Sequence, residues 1–198
     1  DAVDISADGS TLAVSSPSAN GSSRAGTVQV YRLTGGTWTQ VGNVLQGEQI
    51  GDEFGTGLSL NADGSRLAVG APRDREGGVT GGGDSAGKVR VFDLVGGSWV
   101  PIGGSLLGSV GLNGDNLGAS ARLSSDGTWL AMNGPNQSIA RVYRLVSGAW
   151  VQVGATITNA GLSVARNEGL ALSADGGTLA LGFVNGSPRL VRTFSVSP

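Results

Sequence analysis

Asp8-Gly9-Ser10-Thr11-Leu12-Ala13-Val14 decides the fold, because the chain repeats its pattern three more times. Asp63-Gly64 runs into Leu67-Ala68-Val69, Asp126-Gly127 into Leu130-Ala131-Met132, and Asp175-Gly176 into Leu179-Ala180-Leu181. The four copies align without a gap, and each follows a short apolar run. Self-similarity at a period of roughly 50 to 60 residues is the mark of a repeat architecture. Asp-Gly supplies the positive φ of a tight hairpin, so each copy reads as strand, turn, strand. The Asp of each copy is therefore read as a turn residue and not as a catalytic acid.

Reading outward, a proline that should end a strand follows in three units, Pro17, Pro72 and Pro135, with Val184 in the fourth. Then come β-branched and aromatic runs, Val28 to Leu33, Val89 to Leu94 and Ala140 to Leu145, with Leu190 to Val196 as a looser fourth. After a small-residue turn each run is followed by a tryptophan, Trp38, Trp99 or Trp150. One unit is thus a meander of four short strands, the size of a propeller blade. The sequence predicts an all-β, four-stranded-blade β-propeller, about three full blades and most of a fourth, belonging to a larger ring. The units run approximately 1–54, 55–117, 118–166 and 167–198 within a single repeat region, 1–198. Glycine interrupts nearly every candidate helix.

Composition narrows the chemistry. With no His and no Cys among 198 residues, the commonest general base, disulfides and thiolate metal sites are all missing. The 13 basic and 15 acidic residues are scattered, so no basic stripe points to nucleic acid. No apolar run reaches the length of a membrane-spanning helix.

Gly51-Asp52-Glu53-Phe54-Gly55, Gly70-Ala71-Pro72 and the strand Gly87 to Phe92 together resemble the FG-GAP repeat of integrin-α-type propellers. The motif degrades to Gly114-Asp115-Asn116-Leu117-Gly118 and Asn133-Gly134-Pro135 in the third unit, and further in the fourth. The Ser-x-Asp-Gly turns also resemble those of TolB and WD40-like propellers. The FG-GAP resemblance implies a calcium loop between the second and third strands, where Asp74, Glu76 and Asp84 are the candidate ligands. Their wide spacing among glycines departs from a calcium cage and fits a solvated loop better. Ser124 to Trp129 resembles the Asp box of sialidase propellers, which is itself a structural turn.

Tyr31 and Tyr143 share one position of the repeat, and so do Trp38, Trp99 and Trp150, which argues for packing over chemistry. Trp129 stands where other units have Thr11, Arg66 and Thr178, and is either presented for recognition or fills a local gap. With Arg73 and Arg75 of the variable loop it is a candidate contact for a partner. The expectation is a non-catalytic module, outside the cell or in a lumen, that binds a protein or glycan through its inter-strand loops. The alternatives are a structural subunit of a larger assembly and, behind it, a sialidase-like glycan-processing enzyme. A last expectation is that Val3 to Ile5 or the final strand pairs with further blades or another chain.

Overall fold

The computed structural model describes residues 1–18, 25–75, 85–109, 114–136, 138–158, 169–183 and 190–196. Every regular element among them is a β-strand, and no helix is long and apolar enough to cross a membrane. The strands form four successive antiparallel meanders. The first holds β1 (Val3–Ile5), β2 (Thr11–Ser16), β3 (Thr27–Thr34) and β4 (Thr37–Gln40), with the short β5 (Leu45–Gln46) also on β3. The second holds β6 (Gly57–Leu60), β7 (Arg66–Ala71), β8 (Lys88–Val95) and β9 (Ser98–Leu107). The third holds β10 (Ser120–Leu123), β11 (Trp129–Gly134), β12 (Ile139–Val146) and β13 (Ala149–Thr158). The fourth has three strands, β14 (Leu170–Leu172), β15 (Thr178–Phe183) and β16 (Leu190–Ser195). This is the blade pattern of a β-propeller, and the chain folds as an arc of four such blades.

Strand period explains how the blades stack. Successive side chains of a strand point to opposite faces, and here the two faces meet different neighbours. Leu67 and Val69 of β7 join Ala13, Val28, Val30, Phe54 and Leu58 in a core between the first and second blades. Ala68, between them in sequence, turns to the next core, with Val89, Leu130, Met132 and Tyr143. Ala131, flanked by Leu130 and Met132, turns in its turn to the core shared with Leu179 and Leu181 of the fourth blade. The repeated Leu-Ala pair is thus a bulky residue toward one blade and a small one toward the next, which lets the sheets approach closely. Gly70 shows how closely: a Cβ there would run into the backbone oxygen of Gly118 in the following blade.

The Asp-Gly turns are built as structural devices. Asp8 accepts the Ser6 hydroxyl at 2.6 Å and the Ser10 N–H at 2.9 Å, and Ser6 Oγ in turn accepts the Thr11 N–H. Asp126 does the same with Ser124 and Thr128, and Asp175 with Ser173 and Gly177. In the second blade Asn61 stands for the serine, its Oδ1 accepting the Arg66 N–H. The turns are also linked across blades: the Ala7 N–H donates to Ala62 C=O, Ala62 to Ser125, and Ser125 to Ala174, each within 2.9 Å. These bonds tie the four turns into a backbone girdle around the propeller axis.

Candidate functional site

The residues singled out in the sequence lie at different places in the arc. Trp129 is only 8% exposed, with the Arg144 guanidinium over its ring at 5.2 Å and the backbone of Gly176 against its face. It fills the seam between the third and fourth blades. Arg73 and Arg75 are exposed beyond the other end of β7, away from the Asp-Gly turns. Arg73 pairs with Glu53 at 2.9 Å. Asp74, between them, is buried, and its carboxylate lies 3.0 Å from the Lys88 ammonium, which also meets Glu48 at 2.6 Å. Glu76 and Asp84 lie outside the described residues.

That pairing bears on the calcium reading. Lys88 is itself fully buried, so the cation facing Asp74 is one the chain provides. A calcium cage needs several oxygens free to converge on one ion, and the Asp74 carboxylate does not fit that role with an ammonium held against it. Lys88 draws the Glu48 carboxyl below its ordinary range. Asp52, nearby, goes the other way: burial raises its carboxyl although the Gln49 and Glu48 N–H groups both donate to it.

A second constellation is assembled by the fold at the axis. The innermost strands β1, β6, β10 and β14 border a cleft of about 350 Å³, with Asp4, Ser59 and Arg122 among its lining residues. Register shows that these three occupy one position of the repeat. Asp4 pairs across its hairpin with Ala13, Ser59 with Ala68, Arg122 with Ala131, and Ala171 with Ala180. Each blade therefore contributes one residue at this level of the axis, and the four differ: an acid, a hydroxyl, a base and a methyl.

The backbone of β6 holds both charged side chains. Ser59 directs its backbone into the ladder with β7. The groups of Leu58 and Leu60, one residue to either side, meet the neighbouring blades. The Leu60 N–H donates to Asp4 Oδ2 at 2.6 Å, and Arg122 Nη1 donates to Leu58 C=O at 3.3 Å and to its own neighbour Ala121 C=O at 2.8 Å. Only Ser59 stands between the two anchoring residues, whose Cα atoms a strand sets roughly 7 Å apart. Ser59 Oγ accepts the Leu123 N–H at 3.1 Å. A carboxylate from the first blade and a guanidinium from the third thus flank the same short stretch of the second, beside an open cleft.

No protein-family profile matches the chain, and no curated protein matches it in sequence. Solved structures match its fold. TolB from Acinetobacter baumannii superposes with a TM-score of 0.53 at 16% identity, over 99% of this chain and 41% of TolB. The periplasmic gluconolactonase of Pseudomonas aeruginosa gives 0.55 at 20% identity, over 98% and 56%. A candidate 6-phosphogluconolactonase from Bacteroides fragilis gives 0.53 at 14% identity, over 79% and 38%. The chain spans less than two thirds of each of these proteins, and the likeness is one of fold.

The comparison corrects the expectation of a non-catalytic module. Proteins named as lactonases stand among the structures that share this propeller, so the fold gives no ground for excluding an enzyme. That expectation rests on the missing His and on tyrosines and tryptophans locked to the repeat. Of those residues Tyr143, Trp99 and Trp150 are buried in the blades, whereas Tyr31 is half-buried and Trp38 is exposed. The axial position is instead where the repeat varies.

Proposed function

We propose that the axial cleft hydrolyses the cyclic ester of a sugar acid. The reading is carried by one observation, the convergence of Asp4 and Arg122 on the axial edge of β6. The lactonase names among propellers of this fold support it. In such a reaction water attacks the ester carbonyl, negative charge develops on the carbonyl oxygen, and the ring C–O bond then breaks. Arg122 is suited to hold the developing oxyanion, because a fixed cation in a partly enclosed cleft is already oriented where charge appears. Asp4 is the base that takes the proton of the attacking water, and that proton passes to the departing ring oxygen to give the open hydroxy acid. The Leu60 N–H fixes the Asp4 side chain without consuming both of its oxygens.

The reading narrows the partner to a small sugar derivative, without nucleic acid or membrane insertion. A location outside the cytosol is its finer part, supported by the periplasmic gluconolactonase. The FG-GAP-type motif enters as an inter-blade interlock: Phe54 is buried between the first two blades, and Gly55 lies against Ser15, whose hydroxyl donates to Gly55 C=O at 2.7 Å.

The test is loss of glucono-δ-lactone over the spontaneous rate, read by hydroxamate trapping. The protein should accelerate it. Arg122→Ala and Asp4→Asn should each lose about 10²-fold, while Arg122→Lys, keeping the charge, retains part of the rate. Unchanged rates in both variants, or no acceleration by the unaltered chain, overturn the assignment.

A further inference from the structure

The 198 residues contain a single lysine, Lys88, which opens β8, and the fold buries it. Its side chain is 2% exposed, and so is that of Asp74, whose Oδ2 lies 3.0 Å from the lysine nitrogen. Two opposite charges taken out of water together are costly to keep. Burial favours the uncharged amine and the uncharged acid, and a desolvated lysine amine is a nucleophile.

The surroundings hold this pair in place. The Gly87 N–H donates to Asp74 C=O at 3.0 Å, and the Asp74 N–H to Ala71 C=O at 3.1 Å. Lys88 is paired on both sides, with Ala71 of β7 and Leu107 of β9, so its backbone is fixed within the sheet. A second carboxylate, Glu48, meets the same nitrogen at 2.6 Å and is gripped by Arg90 Nη1 at 2.7 Å. Arg90 is in turn laid over the rings of Phe54 and Phe92. The Glu48 side chain is 47% exposed, so it links the buried pair to solvent. Two carboxylates on one amine, one enclosed and one open to water, are suited to different roles.

We propose that Lys88 and Asp74 condense into an amide, a covalent staple between the segment leaving β7 and the first residue of β8. A proton passes from the ammonium to the Asp74 carboxylate across their contact, leaving an amine and an acid. Lys88 Nζ attacks Asp74 Cγ, the N–C bond forms, and Glu48 takes the proton that the nitrogen sheds. Glu48 then returns that proton to the departing hydroxyl, the C–O bond breaks, and water leaves. Ammonium and carboxylate have become an amide and one water, with no further reactant. Fixed contact between the reacting groups stands in for chemical activation. The bond closes residues 75–87 into a covalent ring, which removes loop entropy from the unfolded chain. The staple does not rest on the axial reading.

The test is the mass of the unaltered protein, denatured in acid and read by electrospray. It should fall one water short of the sequence. Trypsin, which cuts after Arg75, should release Asp74-Arg75 still attached through Lys88 to the fragment 76–90. Lys88→Arg and Asp74→Ala should regain the full mass. Glu48→Gln, which cannot take the proton, should be cross-linked at least about tenfold less once its circular dichroism matches the parent. A parent of full mass, a missing water traced by fragmentation to a succinimide at an Asp-Gly turn, or complete cross-linking in Glu48→Gln would each overturn the proposal. The parent's mass needs no variant, so the result stands even where a variant misfolds. Lactone hydrolysis is measured separately and decides nothing about the staple.

Discussion

The first blade and the two after it are written in nearly the same sequence pattern and are buried differently. Along β2 buried residues alternate with half-buried ones, whereas along β7 and β11 nearly every residue is buried. Leu12 is half-buried, and its counterparts Leu67 and Leu130 are fully covered. Trp38 is 41% exposed, against 3% for Trp99 and 8% for Trp150. Local propensity does not account for this at the leucines and tryptophans compared, since those residues are the same. An inner blade has a neighbour on each face, and the first blade, as seen here, is covered on one. Within residues 1–198 the energetic worth of a repeat position follows the neighbours packed on it, as expected where stability comes from contacts between units.

Substitution of the hairpin tryptophans tests this most severely. Trp99→Ala should cost about 4 kcal/mol, as for a large core aromatic, while Trp38→Ala should cost under about 1 kcal/mol. Urea denaturation of the two variants measures both, and equal losses would break the comparison. The leucines come next: Leu67→Ala is expected to lose about 3 kcal/mol and Leu12→Ala about 1 kcal/mol, read from the shift in denaturation midpoint.

A smaller difference separates Gly42 and Gly154, each four residues past its blade's hairpin tryptophan. Gly42→Val and Gly154→Val impose the same backbone strain, because both residues hold a positive φ near 70°. Only at Gly42 does the new side chain meet an indole, with Trp99 Cδ1 at 2.6 Å from the Cβ position. Gly42→Val should therefore cost about 2 kcal/mol more than Gly154→Val, the usual penalty of overpacking. A difference near zero would show that the indole gives way.

The smallest effect is one that all the Asp-Gly turns share in direction. Hydrogen bonds from the serines draw Asp8 down to about 2 and lower Asp63 as well. In Asp126 burial pushes upward, but the bonds from Ser124 and Thr128 outweigh it and the carboxyl is still lowered. A carboxyl depressed by folding contributes stability that is present above its unfolded value near 4 and is lost as pH falls through the folded one. Thermal midpoints should therefore fall between about pH 4 and pH 2. Asp8→Asn and Asp63→Asn should each flatten that fall, Asp8→Asn the more because its carboxyl is the more strongly lowered, and a variant that leaves the fall unchanged would show that its turn does not contribute in this way.

Much of the fold was legible from the repeat. The Asp-Gly turns, the Leu-Ala strands and the tryptophan hairpins are local patterns, and the blades are meanders of neighbouring segments. The candidate site was written in the same lines but at the one place where they disagree. Asp4, Ser59, Arg122 and Ala171 each stand four residues before the Asp of their blade's turn. Aligning for sameness brings out the packing residues, and a site built from one residue per blade is visible only as variation at a fixed offset. Asp74 illustrates the converse, since its spacing from other acids says nothing of Lys88, whose ammonium reaches it from the next strand.

By itself the sequence determined the strand, turn and repeat pattern, because hydrogen-bonded turns and alternating side chains depend on residues close along the chain. Tertiary structure alone decided which face of each strand is covered, that Trp129 fills a seam, and that a carboxylate of the first blade and a guanidinium of the third flank one short stretch of the second. Those facts depend on stacking separated segments around an axis. Distance along the chain then ceases to measure distance in space.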